Sequence, residues 1–264
     1  MLKVRVIPTL LWKQFGLVKG TRFNSWRRVG SVLPAIKVYN QRDVDELILV
    51  DITANTTGES PDFESIADFS QECFVPFAVG GGVTNIDHVQ NLLDHVQNLL
   101  RSGADKIVVN TAAYSSPSLI TDIARRYGTQ CVVSSIDVKR KSRSDWICFS
   151  HSGSKDTGRE VVSWARELED RGAGEILITS IDNDGMMQGY DLSLIETVSQ
   201  SVKIPVIASG GAGNYNHMIQ AIKQSGASAV AAASMFHFTE QTPAGAKEAM
   251  KKAGIPVRLN FATT

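Results

Sequence analysis

The chain contains two copies of one segment, and that repeat limits its possible folds more than any other feature. Residues 75–85 (VPFAVGGGVTN) align with residues 204–214 (IPVIASGGAGN), placing Pro76 on Pro205 at an offset of 129 (205 − 76). Residues 46–50 (ELILV) align with 175–179 (EILIT) at the same offset, and Gly103-Ala104 returns as Gly226-Ala227 at an offset of 123 (226 − 103). Self-similarity on this scale means that one structural unit has been used twice. The fold must therefore be one that two equal halves can complete.

Each half alternates short apolar runs with longer amphipathic stretches. The runs begin at Val4, Glu46, Val75, Asp105, Gln130, Gly174, Ile204 and Ala229. They are continuously apolar rather than alternating, as expected of parallel strands covered on both faces. Helical spacing follows over about 31–44, 60–72, 85–101, 116–127, 158–171, 191–201, 214–225 and 241–253, with Asn85, Asp191 and Asn214 as N-caps. Eight strand–helix units predict a (β/α)8 TIM barrel with half-barrel repeat, forming a single domain over residues 1–264. An open doubly wound sheet is the alternative of the same class. The offset falls from 129 to 123 because the first half carries extra residues: the heptad at 87–93 (DHVQNLL) recurs verbatim at 94–100 in the third helix. Seven residues are close to two helical turns, so the copy keeps its apolar face nearly in phase. It reads as a recent tandem duplication or deliberate engineering, with His88 and His95 as exposed side chains rather than a metal pair.

The charge balance excludes several roles. Lys plus Arg number 27 and Asp plus Glu 27, so no long-range field attracts nucleic acid. No apolar run reaches the roughly 18 residues of a membrane span, and the stretch after Lys3 and Arg5 is too short for a signal peptide. Cys73, Cys131 and Cys148 show no paired spacing and read as reduced thiols. A cytoplasmic enzyme without metal or cofactor is the expectation.

Three features can carry chemistry at the ends of such strands. Glycine-rich strand ends, Gly80-Gly81-Gly82 and Ser209-Gly210-Gly211, precede helices in both halves, with Asn110-Thr111 and Ala233-Ser234 on neighbouring strands. Glycine lets backbone N–H groups approach a phosphate, and two related turns suggest a substrate with a phosphate at each end. Carboxylates close several strands: Asp51, Asp137, Asp182 and Asp184, with Asp137 best placed for proton transfer. By the repeat, its counterpart in the first strand is Leu11. At the strand starts, Arg5, Glu46, Lys106 and Glu175 alternate in sign, which predicts a salt-bridged ring plugging or gating the barrel's bottom.

RVIPxL near the start, LVDITA at 49–54, VGGG at 79–82, GADKIVVNTAA at 103–113, GAGEILITSIDNDGMMQGYD at 172–191, PVIASGGAGN at 205–214 and AAASMFHF at 231–238 together resemble the HisF family, the cyclase subunits of imidazole glycerol phosphate synthase. The resemblance runs from Val4 to Leu259 and implies a half-barrel-symmetric fold. It implies phosphate or substrate binding at Gly81, Gly82, Asn110 and Thr111 on one side. On the other side it implies Asp184, Gly185, Gly210, Gly211, Ala233 and Ser234, and it adds Lys19, Asp51 and Thr179. It makes Arg5, Glu46, Lys106 and Glu175 an ammonia gate, with a HisH-like glutaminase docking at that end and touching Asp105. Asp137 matches one of two catalytic aspartates; the other falls on Leu11, and the usual cysteine two residues earlier is Thr9. That departure looks like the HisF-like paralogues (WbuZ type) of surface-polysaccharide gene sets, which supply ammonia to a third, sugar-amidating enzyme. Two alternatives stand beside it: a histidine-pathway cyclase, and a non-catalytic barrel that activates a glutaminase.

Overall fold

The computed structural model describes residues 2–13, 16–93 and 103–259. Its strands are β1 (Arg5–Lys13), β2 (Gly16–Thr21), β3 (Asn24–Gly30), β4 (Leu47–Asp51), β5 (Phe77–Gly80), β6 (Lys106–Val109), β7 (Val132–Arg140), β8 (Trp146–Ser150), β9 (Lys155–Glu160), β10 (Glu175–Ser180), β11 (Val206–Ser209) and β12 (Ala229–Ala232). Its helices are α1 (Val32–Gln41), α2 (Ala54–Thr57), α3 (Phe63–Gln71), α4 (Ile86–Leu93), α5 (Thr111–Ser115), α6 (Ser118–Tyr127), α7 (Val161–Asp170), α8 (Leu192–Ser201), α9 (Tyr215–Lys223), α10 (Ser234–Phe238) and α11 (Pro243–Lys252). Parallel pairing runs β1–β4–β5–β6–β7–β10–β11–β12 and returns to β1, which closes an eight-stranded (β/α)8 barrel. The open-sheet alternative is thereby set aside. No described helix is long and apolar enough to cross a membrane.

Register shows the repeat in three dimensions. Leu47 pairs with Phe77 and Ile176 with Val206, while Leu11 pairs with Val50 and Asp137 with Thr179. Each second pair is the first carried into the other half, so Leu11 and Asp137 occupy equivalent positions on facing strands. Side chains alternate between two environments. Ile7, Ile48, Ala78, Val108, Val133, Leu177, Ile207, Ala229 and Ala231 fill the barrel interior. The other set packs under the helices, where Ile36, Ile66, Val89, Ile120, Trp164, Val198, Met218 and Met250 present the buried faces that the helical spacing predicted. Asn85, Asp191 and Asn214 accept main-chain N–H groups three residues on, as N-caps do.

Two antiparallel hairpins were not legible in the sequence. β2–β3 continues from β1 and β8–β9 from β7, at equivalent points of the two halves. Their strands lack period-two alternation: five successive residues of β2 are buried, and β3 is largely exposed. Each hairpin leans across the mouth to the loop of a distant strand. Arg22 N–H bonds to Asp184 O at 2.8 Å, and Ser152 Oγ bonds to Ile52 O at 3.0 Å.

The second copy of the heptad, residues 94–100, lies outside the described residues, as do His95 and the far end of the expected third helix. Its anchor points do not. Leu92 O accepts from Ala104 N at 2.9 Å, and its repeat partner Ala221 O accepts from Ala227 N at 3.2 Å. Both halves thus close the helix-to-strand turn with the same bond, spanning 12 residues (104 − 92) in the first and 6 (227 − 221) in the second. The described residues on either side of the extra segment, Leu92 and Ala104, are joined at the barrel's bottom, away from the mouth. Changing the length of such a connection shifts loop entropy by only about 0.6 kcal/mol per doubling. Deleting residues 94–100 should leave urea-unfolding stability within about 1 kcal/mol of the full chain; loss of cooperative folding would contradict this account of the repeat.

Candidate functional site

The strand C-terminal ends open into a cavity of about 1130 Å³, including its solvent-facing mouth. Lys19, Asp51, Gly81, Asn110, Thr111, Asp137, Thr179, Asp184, Gly185, Gly210, Gly211, Ala233 and Ser234 all line it. Gly82 does not. A Cβ there would meet Ala54 Cβ and Glu59 O at 2.9 Å, so this glycine is needed for packing under the turn. Asp182 also turns away, its carboxylate accepting the Arg140 N–H at 2.9 Å. Thr9, which stands where the resemblance expects a cysteine, lines the same space, as do Phe23, Trp26, Ser135 and Ser152, which were not singled out from the sequence. Phe23 and Trp26 come from the β2–β3 hairpin, for which no sequence pattern existed.

Two facing cradles dominate the mouth. On one side lie Gly81 and the Asn110-Thr111 start of α5; on the other lie Gly185, Gly210, Gly211 and the Ala233-Ser234 start of α10. Gly81 has φ +101°, and a Cβ on it would sit 2.2 Å from Asp51 O, so glycine is required both for conformation and for close approach. Gly211, at φ +117°, would strike Gly189 O at 2.1 Å. Among the described residues the N–H groups of Gly81, Gly210 and Gly211 donate to no acceptor. Thr9 Oγ1, Asn110 Oδ1 and Ser234 Oγ are buried without a partner. Buried polar groups are rarely left in this state. A ligand rich in acceptors, carrying an anion at each end, would satisfy both cradles.

Between the cradles the charges are unevenly matched. Lys19 reaches from β2 to place Nζ 2.8 and 2.7 Å from the two Asp184 carboxylate oxygens, a pair removed almost wholly from solvent. Asp51 uses Oδ1 to accept from Thr53 N at 2.8 Å and Thr53 Oγ1 at 2.7 Å. Asp137 accepts one hydrogen bond, from Asn110 Nδ2 at 2.7 Å. Burial pushes its carboxyl up to about 7, the Asp184 charge adds to the rise, and the Asn110 bond only partly opposes it. Such a group can both give and take a proton near neutrality. Leu11 lines the cavity from the equivalent position of β1 and can do neither.

At the opposite end the four charges form a closed ring. Arg5 Nη1 lies 2.5 Å from Glu46 Oε2 and Arg5 Nη2 2.9 Å from Glu175 Oε2; Lys106 Nζ lies 2.9 Å from Glu46 Oε2 and 3.0 Å from Glu175 Oε1. Burial alone would lower the Arg5 guanidinium, but the bonds and charges of Glu175 and Glu46 hold it above its ordinary value. Glu46 is 1% exposed, and its Oε1 has no partner among the described residues. Asp105, beside Lys106, is exposed; its Oδ2 accepts the Phe77 N–H at 2.8 Å, so one carboxylate oxygen is already engaged at the strand start. His88, expected to be exposed, is half-buried with its ring edge-on to Phe63.

Comparison with known proteins decides the family. Residues 5–242 match the model of the histidine biosynthesis protein family. The chain belongs to that family, among its HisF-like members. It is 46% identical over 261 residues to imidazole glycerol phosphate synthase subunit HisF of Caulobacter vibrioides (strain NA1000 / CB15N), covering 98% of each chain. It is 40% identical over 258 residues to the subunit of the same name from Streptococcus mutans (serotype c), covering 98% of this chain and 100% of the other. HisF-like proteins of this kind are enzymes.

The raised Asp137 has a thermodynamic consequence. The folded protein keeps this proton up to about pH 7, whereas the unfolded chain releases it near 3.8, the ordinary value of an aspartate. Between those values the folded state binds more protons, so this group makes stability fall as pH rises. At about 1.4 kcal/mol per unit the penalty at pH 8 is at most about 4 kcal/mol. Asp137→Asn should therefore raise the Tm at pH 8 and leave it nearly unchanged at pH 4, measured by calorimetry against the parent chain. An equal effect at both pH values would contradict the burial argument.

Proposed function

We propose that this chain is the HisF-type synthase subunit of a glutamine amidotransferase, receiving ammonia from a HisH-like glutaminase at the ring end. That ammonia serves the amidination of a surface-polysaccharide sugar by a third, sugar-amidating enzyme rather than the closing of an imidazole ring. The observation that carries this reading is Leu11, set in the position equivalent to Asp137 by matching register of β1–β4 and β7–β10. Two features support the ammonia-receiving part. The ring of Arg5, Glu46, Lys106 and Glu175 stands at the bottom, and the layer above it is apolar, with the small side chains Ala78, Ala229 and Ala231. An uncharged molecule crosses such a layer far more readily than a cation. The relatives are named as subunits, which supports a partner chain.

The cavity residues divide the work. Gly81, Asn110 and Thr111 hold one phosphate; Gly185, Gly210, Gly211, Ala233 and Ser234 hold the other, with Lys19 and Asp184 as a charged pair beside it. Asp137 handles a proton on one side of the substrate. Its opposite number cannot, and losing one positioned acid or base typically lowers a rate by about 10²–10⁴. Cyclisation that needs both transfers therefore stalls. A second reading, the cyclase of histidine synthesis, is favoured by the names of the relatives.

A cyclase assay separates the two. With added ammonium and the phosphorylated ribulosyl intermediate, the parent chain should give negligible turnover. Leu11→Asp should raise turnover by about 10²–10⁴. Parent turnover equal to that of Leu11→Asp would establish the histidine-pathway reading instead.

A further inference from the structure

The half-barrel repeat puts a histidine behind each glycine turn, and the proposed function leaves both unused. Asn85 and Asn214 cap α4 and α9 by accepting the backbone N–H of His88 at 2.9 Å and of His217 at 3.1 Å. From these matching positions each imidazole folds back toward the preceding turn. His88 Nδ1 lies 3.1 Å from Gly82 O. A carbonyl can only accept, so this nitrogen carries the proton. Nε2 faces Ser60 Oγ at 3.4 Å, and the ring stands edge-on to Phe63 with centroids 5.8 Å apart.

His217 makes the converse bond. Gly213 N–H donates to its Nδ1 at 3.2 Å, so that nitrogen is bare. Gln241 Nε2 donates to Gly213 O at 2.8 Å, and Gly213 is thereby held on both sides. Burial keeps the His217 imidazole below its ordinary pKa, which favours the neutral form that can accept. Neither ring lines the mouth cavity; both act from outside it.

The turns need such support. Gly81, Gly82, Gly210 and Gly211 run at φ +101°, +69°, +82° and +117°. Glycine reaches these angles freely but also leaves them freely, so the turns do not hold their shape unaided. The cavity-lining amides of Gly81, Gly210 and Gly211 meet an anion in the right geometry only if something fixes the backbone. We propose that His88 and His217 are positioning residues for the two anion-binding glycine turns, each acting through Nδ1. The proposal rests on the phosphate reading of those turns given above.

Amide replacements separate hydrogen bonding from bulk. Asparagine places a polar atom where Nδ1 stands, donating to Gly82 O in His88→Asn and accepting from Gly213 N–H in His217→Asn. Glutamine places its polar atoms near Nε2 and fills more of the space. The full chain, 15N-labelled, is titrated with inorganic phosphate while the glycine amides of each turn are followed by NMR. Removing a supporting contact of this type weakens ligand affinity by about 10-fold. His88→Gln should lose that factor at Gly81 only, and His217→Gln at Gly210 and Gly211 only, while both Asn variants keep the parent affinity. Glutamine variants that bind like the parent would overturn the proposal and leave the phosphate reading standing. So would Asn variants as weak as Gln, or a loss shared by both turns, since each indicates packing alone. A parent chain whose glycine amides ignore phosphate would remove the phosphate reading and this proposal together.

Discussion

Closure of eight strands in one fixed register is the constraint on which both ends of this barrel depend. Side chains alternate along a strand, so slipping one strand by a residue would turn its whole inward set outward. The register that pairs Leu11 with Val50 and Asp137 with Thr179 brings those positions to the mouth. It also levels the starts of β1, β6 and β10 with Glu46, close enough for four charges to meet within 3.0 Å. Site and ring are thus two consequences of one hydrogen-bond pattern, separated by the apolar layer of the interior.

The ring shows how the repeat was used unequally. Glu46 and Glu175 are repeat partners, whereas Arg5 and Lys106 each occur in one half only, so the copied unit supplies the acids twice and the bases once each. Desolvating charges costs several kcal/mol per ion unless each is paired. The ring pairs all four while leaving Glu46 Oε1 open. At the mouth the same cost falls on Asp137, which has a single hydrogen bond among the described residues, whereas Lys19 and Asp184 form an ion pair. Unfavourable electrostatics are concentrated where chemistry is proposed.

The barrel was legible because repeat and apolar runs both encode parallel, doubly covered strands. The hairpins were not, since β2 is buried on both faces and β3 on almost neither, which leaves no periodic signal. Phe23 and Trp26 were missed with them. Residue type announced Gly81, Gly210 and Asp137, but side-chain direction was hidden: Gly82 and Asp182 have the right chemistry on the wrong side of the backbone. His88 looked like a surface residue on helical spacing alone, because its bond to Gly82 O depends on a turn six residues earlier. The equivalence of Leu11 and Asp137 was visible in the repeat, and register made it geometric.

The central claim is that this barrel still receives ammonia although half of its acid/base pair is gone. Glutamine hydrolysis by a HisH-like glutaminase from the same source, measured with and without the full chain, tests that most directly. The account predicts a clear rise in glutaminase rate on adding the barrel. No stimulation of any such glutaminase would contradict it.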